Sequence, residues 1–224
     1  MRNRNYSCQN AVEHLARKGG RTIIGGLSIS IPLVLMIGNF ISAGTSPPGS
    51  LSGYYYTGMR NFFIGSLCAL GVLLLAHRGH GRLDALITDG AGTSIIIVAL
   101  CPTRPPTGSP HLTVQQNVVG DLHDLFAIIA PLALGVMALR FARAQRQPEV
   151  VVHRTCAAVI FSCVLLAIIS GYIFRLVNVN PQPLLMCEVL TMLASGASWL
   201  ASGRAPSSPA LEHAMTMDAV RGRP

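Results

Sequence analysis

Residues 22–41 read TIIGGLSISIPLVLMIGNFI, a run of 20 residues without a charged side chain. A helix of about 20 apolar residues is long enough to cross the hydrocarbon core of a membrane. Because a helix satisfies its own backbone hydrogen bonds in lipid, the predicted fold class is all-α. The chain is predicted to be a polytopic membrane protein with six transmembrane helices in one bundle. The other five apolar stretches are Thr57–Ala76, Leu86–Cys101, Leu122–Phe141, Thr155–Leu176 and Leu184–Ala201.

The positively charged residues predict how these helices are oriented. The apolar stretches separate seven polar segments, which hold 5, 1, 2, 1, 4, 1 and 3 Lys and Arg in chain order. Arginines at the ends of a stretch are assigned to the adjoining segment. Alternate segments therefore carry 14 on one side of the membrane and 3 on the other. Since cytoplasmic segments carry the excess of positive charge, both termini are expected in the cytoplasm.

The chain is expected to form one membrane domain, since only 12% of its residues are charged against roughly 25% in soluble domains. Residues 1–21 are predicted to be a cytoplasmic basic segment, irregular rather than helical. Residues 22–203 are predicted to form the six-helix transmembrane domain. Residues 204–224, which contain three prolines, are predicted to be a disordered cytoplasmic tail. The proline-rich connection 102–120 is expected to be irregular.

The composition argues against nucleic-acid binding and against a metal or redox centre. The net charge is +8, but the excess lies in segments where membrane topology already explains it. The six cysteines form no CxxC pair, and His77 and His80 lie in a glycine-rich loop that is better interpreted as solvated. No metal, no cofactor and no nucleic-acid partner is therefore expected, and the lipid bilayer is the expected partner.

The last apolar stretch carries polar and small residues at a helical spacing. The steps between them are 3, 4, 3 and 4 residues, so they share one helix face. Such a face normally points into a membrane bundle. Glu188 heads this stripe near the outer boundary, and a carboxylate at membrane depth is a functional candidate. The stripe consists of Glu188, Thr191, Ser195, Ser198 and Ser202.

Further polar groups are predicted at the same outer level. Arg60 begins the second apolar stretch and Arg175 ends the fifth, so either could pair with Glu188. The tyrosine triplet 54–56 is expected at the membrane interface as an aromatic belt, and Gly65, four residues before Ala69, is expected to let helices approach closely. The candidate ligand-binding residues are Tyr56, Arg60, His123, Asp124, Arg175 and Glu188.

Several functions are compatible with this outer cluster. The leading one is binding of a lipid head group or a small polar ligand. A membrane-embedded hydrolase or transferase acting on lipid would use His123 or a carboxylate as general base, and a small proton-coupled transporter would use Glu188 or Asp124 as a proton site. The same residues could instead form interhelical salt bridges. Whether the protein is an enzyme, and its oligomeric state, stay open.

Three segments stand out together: SGYYYTGMRN at 52–61 followed by FIG at 63–65, then His123, and then Glu188 with SWL at 198–200 and Gly203. They resemble a family of bacterial six-span integral membrane proteins, a domain family without an assigned activity. A remoter similarity is to Frag/DRAM/Sfk-type membrane proteins, which are linked to lipid handling. The resemblance implies a multi-pass protein of the bacterial inner membrane, with the tyrosine segment, the histidine and the glutamate in one outer-facing motif.

Overall fold

A computed structural model describes residues 2–44, 47–77, 81–105, 113–145, 148–177 and 182–204, and the side chains of all of these except 2–16, 43, 171–177 and 182. The described chain is helical, as its six apolar stretches predict. A short 3₁₀ helix, Ser52–Tyr56, precedes the second α-helix. The α-helices are α1 (Arg2–Ala43), α2 (Arg60–Ala76), α3 (Arg82–Leu100), α4 (Val114–Ala144), α5 (Glu149–Val177) and α6 (Gln182–Arg204).

Five of these helices are long and apolar enough to cross a membrane, and α2 is an apolar helix of 17 residues. Their outward faces carry large apolar side chains, of which Phe40 is 73% exposed and Leu86 is 69% exposed. A soluble monomer rarely exposes so much contiguous apolar surface. The outward faces therefore have the composition expected of helices in contact with lipid, and the all-α prediction is confirmed.

The starts of α1 and α4 differ most from the prediction. Helix α1 continues back to Arg2, so residues 2–21 are helical and not an irregular tail. Helix α4 begins at Val114 and not at Leu122, because Thr113 and Gln116 form a capping box that closes its first turn. The predicted irregular connection 102–120 therefore ends at Thr113. The predicted disordered tail lies outside the described residues beyond Arg204.

The six helices form a ring in which each packs against the next, and α6 closes the ring on α1. Two contacts bring helix backbones together through glycines. A Cβ atom on Gly196 would lie 2.7 Å from the Gly25 carbonyl oxygen, and one on Gly71 would lie 2.8 Å from the Gly92 carbonyl oxygen. The predicted close packing at Gly65 is wrong, since nothing lies within 4 Å of a Cβ built there.

Gly196 and Gly65 provide a matched test of this packing. Gly196→Ala is expected to destabilise the protein by about 1–3 kcal/mol, because the added methyl group meets the backbone of α1. Gly65→Ala is expected to be neutral or to stabilise by up to about 1 kcal/mol, because alanine favours a helix and meets no neighbour. Thermal unfolding in detergent measures both changes. Equal midpoints for the two variants would contradict the ring closure between α1 and α6.

The two ends of the ring differ in how they are filled. We call the end where α1 finishes and α2 begins the outer end, following the predicted topology, and the opposite end the inner end. At the inner end Trp199 is 1% exposed, and its ring meets Phe141 at 5.1 Å and His77 at 5.0 Å between centroids. His153 contacts Phe141 at 5.6 Å. These four side chains, the inner aromatic cluster, fill the inner half of the ring. His77 is 5% exposed, so the interpretation of this histidine as solvated is wrong.

Charged groups surround the inner aromatic cluster. Arg140 of α4 forms an ion pair with Asp84 of α3, whose side chain is only 10% exposed. Arg21 of α1 lies over the Phe141 ring at 5.2 Å and donates to the Ser202 carbonyl oxygen at 3.4 Å. Because these contacts join α1, α3, α4 and α6, they fix the inner ends of the helices relative to one another.

Candidate functional site

The outer half of the ring contains a partly open cavity of about 590 Å³. Its walls come from all six helices and from the 50–52 segment, and most of the wall side chains are aliphatic. The cavity reaches from His123 to Leu134 along α4, which is about 16 Å at 1.5 Å per residue. The main apolar wall residues are Ile31, Leu35, Phe63, Leu67, Ile95, Ala130, Leu134, Val164 and Met192. We call this space the outer cavity.

The polar end of the outer cavity is formed where the 49–52 segment meets α6. The Leu51 backbone N–H donates to the Glu188 carboxylate at 2.5 Å. One turn earlier, the Leu185 N–H donates to the Gly49 carbonyl oxygen at 3.1 Å. Two hydrogen bonds to α6 therefore hold the segment that leads into Ser52. Glu188 itself faces the cavity.

Ser52 and His123 form a hydrogen-bonded pair at this polar end. The Ser52 Oγ lies 2.8 Å from His123 Nε2, and His123 Nδ1 lies 2.6 Å from the Cys101 carbonyl oxygen. A carbonyl oxygen only accepts hydrogen bonds, so Nδ1 carries the proton. In the neutral imidazole Nε2 is then the acceptor, and the Ser52 hydroxyl donates to it. Both residues line the outer cavity.

A second polar group lies beside this pair. Arg104 bridges two carboxylates of α4, forming ion pairs with Asp121 and with Asp124, the latter at 2.5 Å. The Asp124 side chain is 44% exposed and lines the outer cavity. These two ion pairs fix residues 121–124 of α4 and therefore support the position of His123.

The structure unites some of the predicted residues and separates others. His123, Asp124 and Glu188 line the outer cavity. The predicted pairing of Arg60 with Glu188 is wrong. Arg60 instead donates to the Tyr55 hydroxyl at 2.5 Å and lies over that ring at 4.2 Å. The side chain of Arg175 lies outside the described residues.

The tyrosine triplet is divided between core and surface. Tyr54 is fully buried, so the prediction of an aromatic belt is wrong for this residue. Burial raises the pKa of the Tyr54 hydroxyl above its usual value, and the phenol stays neutral. Tyr56 is 42% exposed and donates to the Thr103 carbonyl oxygen at 2.5 Å. Tyr56 therefore anchors the connection after α3 and does not line the outer cavity.

The polar stripe of α6 points into the bundle, as its spacing predicts. Thr191, Ser195, Ser198 and Ser202 are all buried. Their roles differ with depth, since Thr191 lines the outer cavity whereas the Ser198 Oγ lies 2.9 Å from His153 Nδ1 beside the inner aromatic cluster. The stripe therefore runs from the outer cavity to the inner end of the ring.

Two site features were missed in the sequence. Ser52 stands beside the tyrosine triplet but has no periodically spaced polar partner that would have marked it as a site residue. The fully buried His153 was also missed, although a histidine near the start of an apolar helix could have been singled out by its intramembrane position.

Comparisons of the chain with protein-family models, with curated proteins and with solved structures find no match. A function for this protein must therefore be inferred from the outer cavity and the residues that line it.

Proposed function

We propose that this protein is a multi-pass membrane protein that binds a lipid in the outer cavity. The apolar part of the lipid occupies the aliphatic walls, and its head group lies at the end formed by Ser52, His123, Asp124 and Glu188. The observation that carries this proposal is the cavity itself, about 590 Å³ in volume. That volume falls within the roughly 300–1,000 Å³ typical of ligand pockets.

The depth of the outer cavity supports a lipid as its occupant. Its length of about 16 Å along α4 is roughly half of the 30 Å hydrocarbon core of a bilayer. One leaflet therefore matches the cavity in depth. An acyl chain entering from the outer leaflet would keep its head group level with the polar end.

The charge of the polar end favours a neutral head group. Among the described residues that line the outer cavity, the charged ones are Asp124 and Glu188, and both are acidic. Arg104 lies beside Asp124 but is engaged by two carboxylates. An anionic phosphate would meet like charge here, so a head group of hydroxyl and ester oxygens fits better.

The membrane topology belongs to the same proposal. All six helices cross the membrane, with both termini in the cytoplasm and the outer cavity on the far side, in a bacterial inner membrane. The distribution of Lys and Arg supports this orientation. Helix α2, at 17 residues, lies at the lower limit of about 17–25 residues for a transmembrane helix.

The inner aromatic cluster favours binding over transport. The cavity wall ends at Leu134 on α4 and Met192 on α6, and two turns further along Phe141 and Trp199 are packed at 5.1 Å between ring centroids. A transported molecule would have to displace these buried rings. A cavity that is closed at the inner end is suited to holding a ligand and not to passing it across the membrane.

Filling the outer cavity tests the proposal. Ala127 lines the cavity, whereas Ile129 is 37% exposed on the outward face of the same helix. Ala127→Phe is expected to weaken binding of a fluorescent monoacylglycerol in detergent at least tenfold, because the ring takes up cavity volume. Ile129→Phe should bind the same lipid with an affinity within twofold of that of the protein without substitutions. Equal affinities for the two variants, or no binding at all, would overturn the proposed function.

A further inference from the structure

We propose that Ser52 is a nucleophile activated by His123, and that the protein cleaves an acyl ester of the lipid in the outer cavity. This inference rests on the proposed function, since the ester must lie at the polar end while its chain occupies the aliphatic walls. The substrate class is a neutral lipid ester.

The geometry is that of an activated nucleophile. A serine is a weak nucleophile until a base accepts its proton, and the arrangement needs nucleophile and base within about 2.6–3.2 Å. The Ser52 Oγ and His123 Nε2 are 2.8 Å apart. The base must itself be oriented by a third group, and here the Cys101 carbonyl oxygen accepts from Nδ1 at 2.6 Å.

The serine is also held in place and faces the ligand. Glu188 accepts from the amide of Leu51, the residue before Ser52, at 2.5 Å. Glu188 is thus a positioning residue that fixes the 49–52 segment. Ser52 is 7% exposed and His123 is 3% exposed, so the pair is sheltered from bulk water although both residues line the cavity.

The reaction follows from these positions. The Ser52 Oγ attacks the ester carbonyl carbon as its proton passes to His123 Nε2. The bond between the carbonyl carbon and the alcohol oxygen then breaks, and His123 returns the proton to the departing alcohol. Water attacks the acyl-serine in the same way, releasing the fatty acid and restoring Ser52. No oxidant, reductant or metal is needed.

Covalent labelling tests this directly. A long-chain alkyl fluorophosphonate forms a bond between phosphorus and a serine oxygen and releases fluoride. We expect the probe to label the protein without substitutions once, on the peptide that contains Ser52, as measured by mass spectrometry. Ser52→Ala should not be labelled. Ser66→Ala, which removes a hydroxyl that donates within α2 at 3.3 Å, should be labelled at the original rate.

The role of His123 requires a rate measurement. His123→Gln is expected to slow labelling of Ser52 by about 10²–10⁴-fold, the usual contribution of a general base. Hydrolysis of a monoacylglycerol should fall by a similar factor. Because labelling of the unmodified protein identifies the serine without any substitution, poor folding of a variant does not decide the result.

The outcomes separate the two proposals. If the fluorescent monoacylglycerol binds but Ser52 is not labelled, the esterase inference is wrong and lipid binding stands. If Ser52 is labelled equally fast in His123→Gln, the hydrogen bond is structural and the inference is also wrong. If the lipid does not bind, the proposed function fails, and the inference fails with it.

Discussion

Trp199→Ala is expected to destabilise the protein by about 3 kcal/mol or more, within the range for loss of a large buried ring. Trp199 is 1% exposed and contacts both Phe141 and His77 edge to face. In a membrane, helix association depends on packing and not on exclusion of water. Removal of the indole therefore leaves a space that its rigid neighbours cannot fill.

The control for this prediction lies on the same helix. Leu190 is 44% exposed on the outward face of α6, and Leu190→Ala is expected to change stability by no more than about 0.5 kcal/mol, as for surface substitutions. Unfolding in detergent by increasing dodecyl sulfate, followed by circular dichroism, measures both variants. Similar free energies of unfolding for both would show that the inner aromatic cluster does not hold the ring together.

The second large effect is expected at the ion pair between α3 and α4. Arg140→Met removes the ion-pair partner on α4 of Asp84, whose side chain is 10% exposed. Breaking a buried pair by removing one member costs about 3–5 kcal/mol, because the remaining charge stays buried. We expect the free energy of unfolding to fall by about 3 kcal/mol in the same assay, at the lower end of that range because Arg140 is 30% exposed.

A double variant identifies the cause of that loss. Asp84→Asn combined with Arg140→Met removes both charges, and replacement of a whole buried pair is often close to neutral. The double variant is therefore expected to be more stable than Arg140→Met alone. Arg143→Met, at an exposed position on the same helix, is the control and should change stability by at most about 0.5 kcal/mol. A double variant less stable than Arg140→Met would contradict this explanation.

The sequence predicted the helices better than the connections between them. Uncharged runs such as Thr22–Ile41 predict membrane helices because length and composition alone decide whether a segment can cross lipid. The start of α4 was predicted too late because 114–121 is polar, although Thr113 and Gln116 give the capping signal. The start of α2 was predicted too early because residues 57–59 are uncharged and extend the apolar run, although they form the turn between the 3₁₀ helix Ser52–Tyr56 and Arg60.

The candidate site was predicted in part for a related reason. The stripe headed by Glu188 was correctly oriented because residues on one helix face have fixed spacing. Which groups meet across the ring depends on helix order, and helix order is set by close contacts such as Gly25 with Gly196. Those contacts have no signature at the level of charge. Because the sequence does not show which helices are neighbours, it predicted a pair of Arg60 with Glu188 that does not form. For the same reason it did not predict the pair of Ser52 with His123.

The most direct test of the central claim is the position of a lipid in the protein. A monoacylglycerol with a diazirine in its acyl chain can be incorporated with the protein into nanodiscs, irradiated, and mapped by mass spectrometry. Lipid binding in the outer cavity predicts crosslinks to cavity-lining residues on different helices, such as Leu67, Ala130 and Thr191. Crosslinks confined to outward residues such as Leu165 and Leu166, which are 60% and 51% exposed, would contradict it.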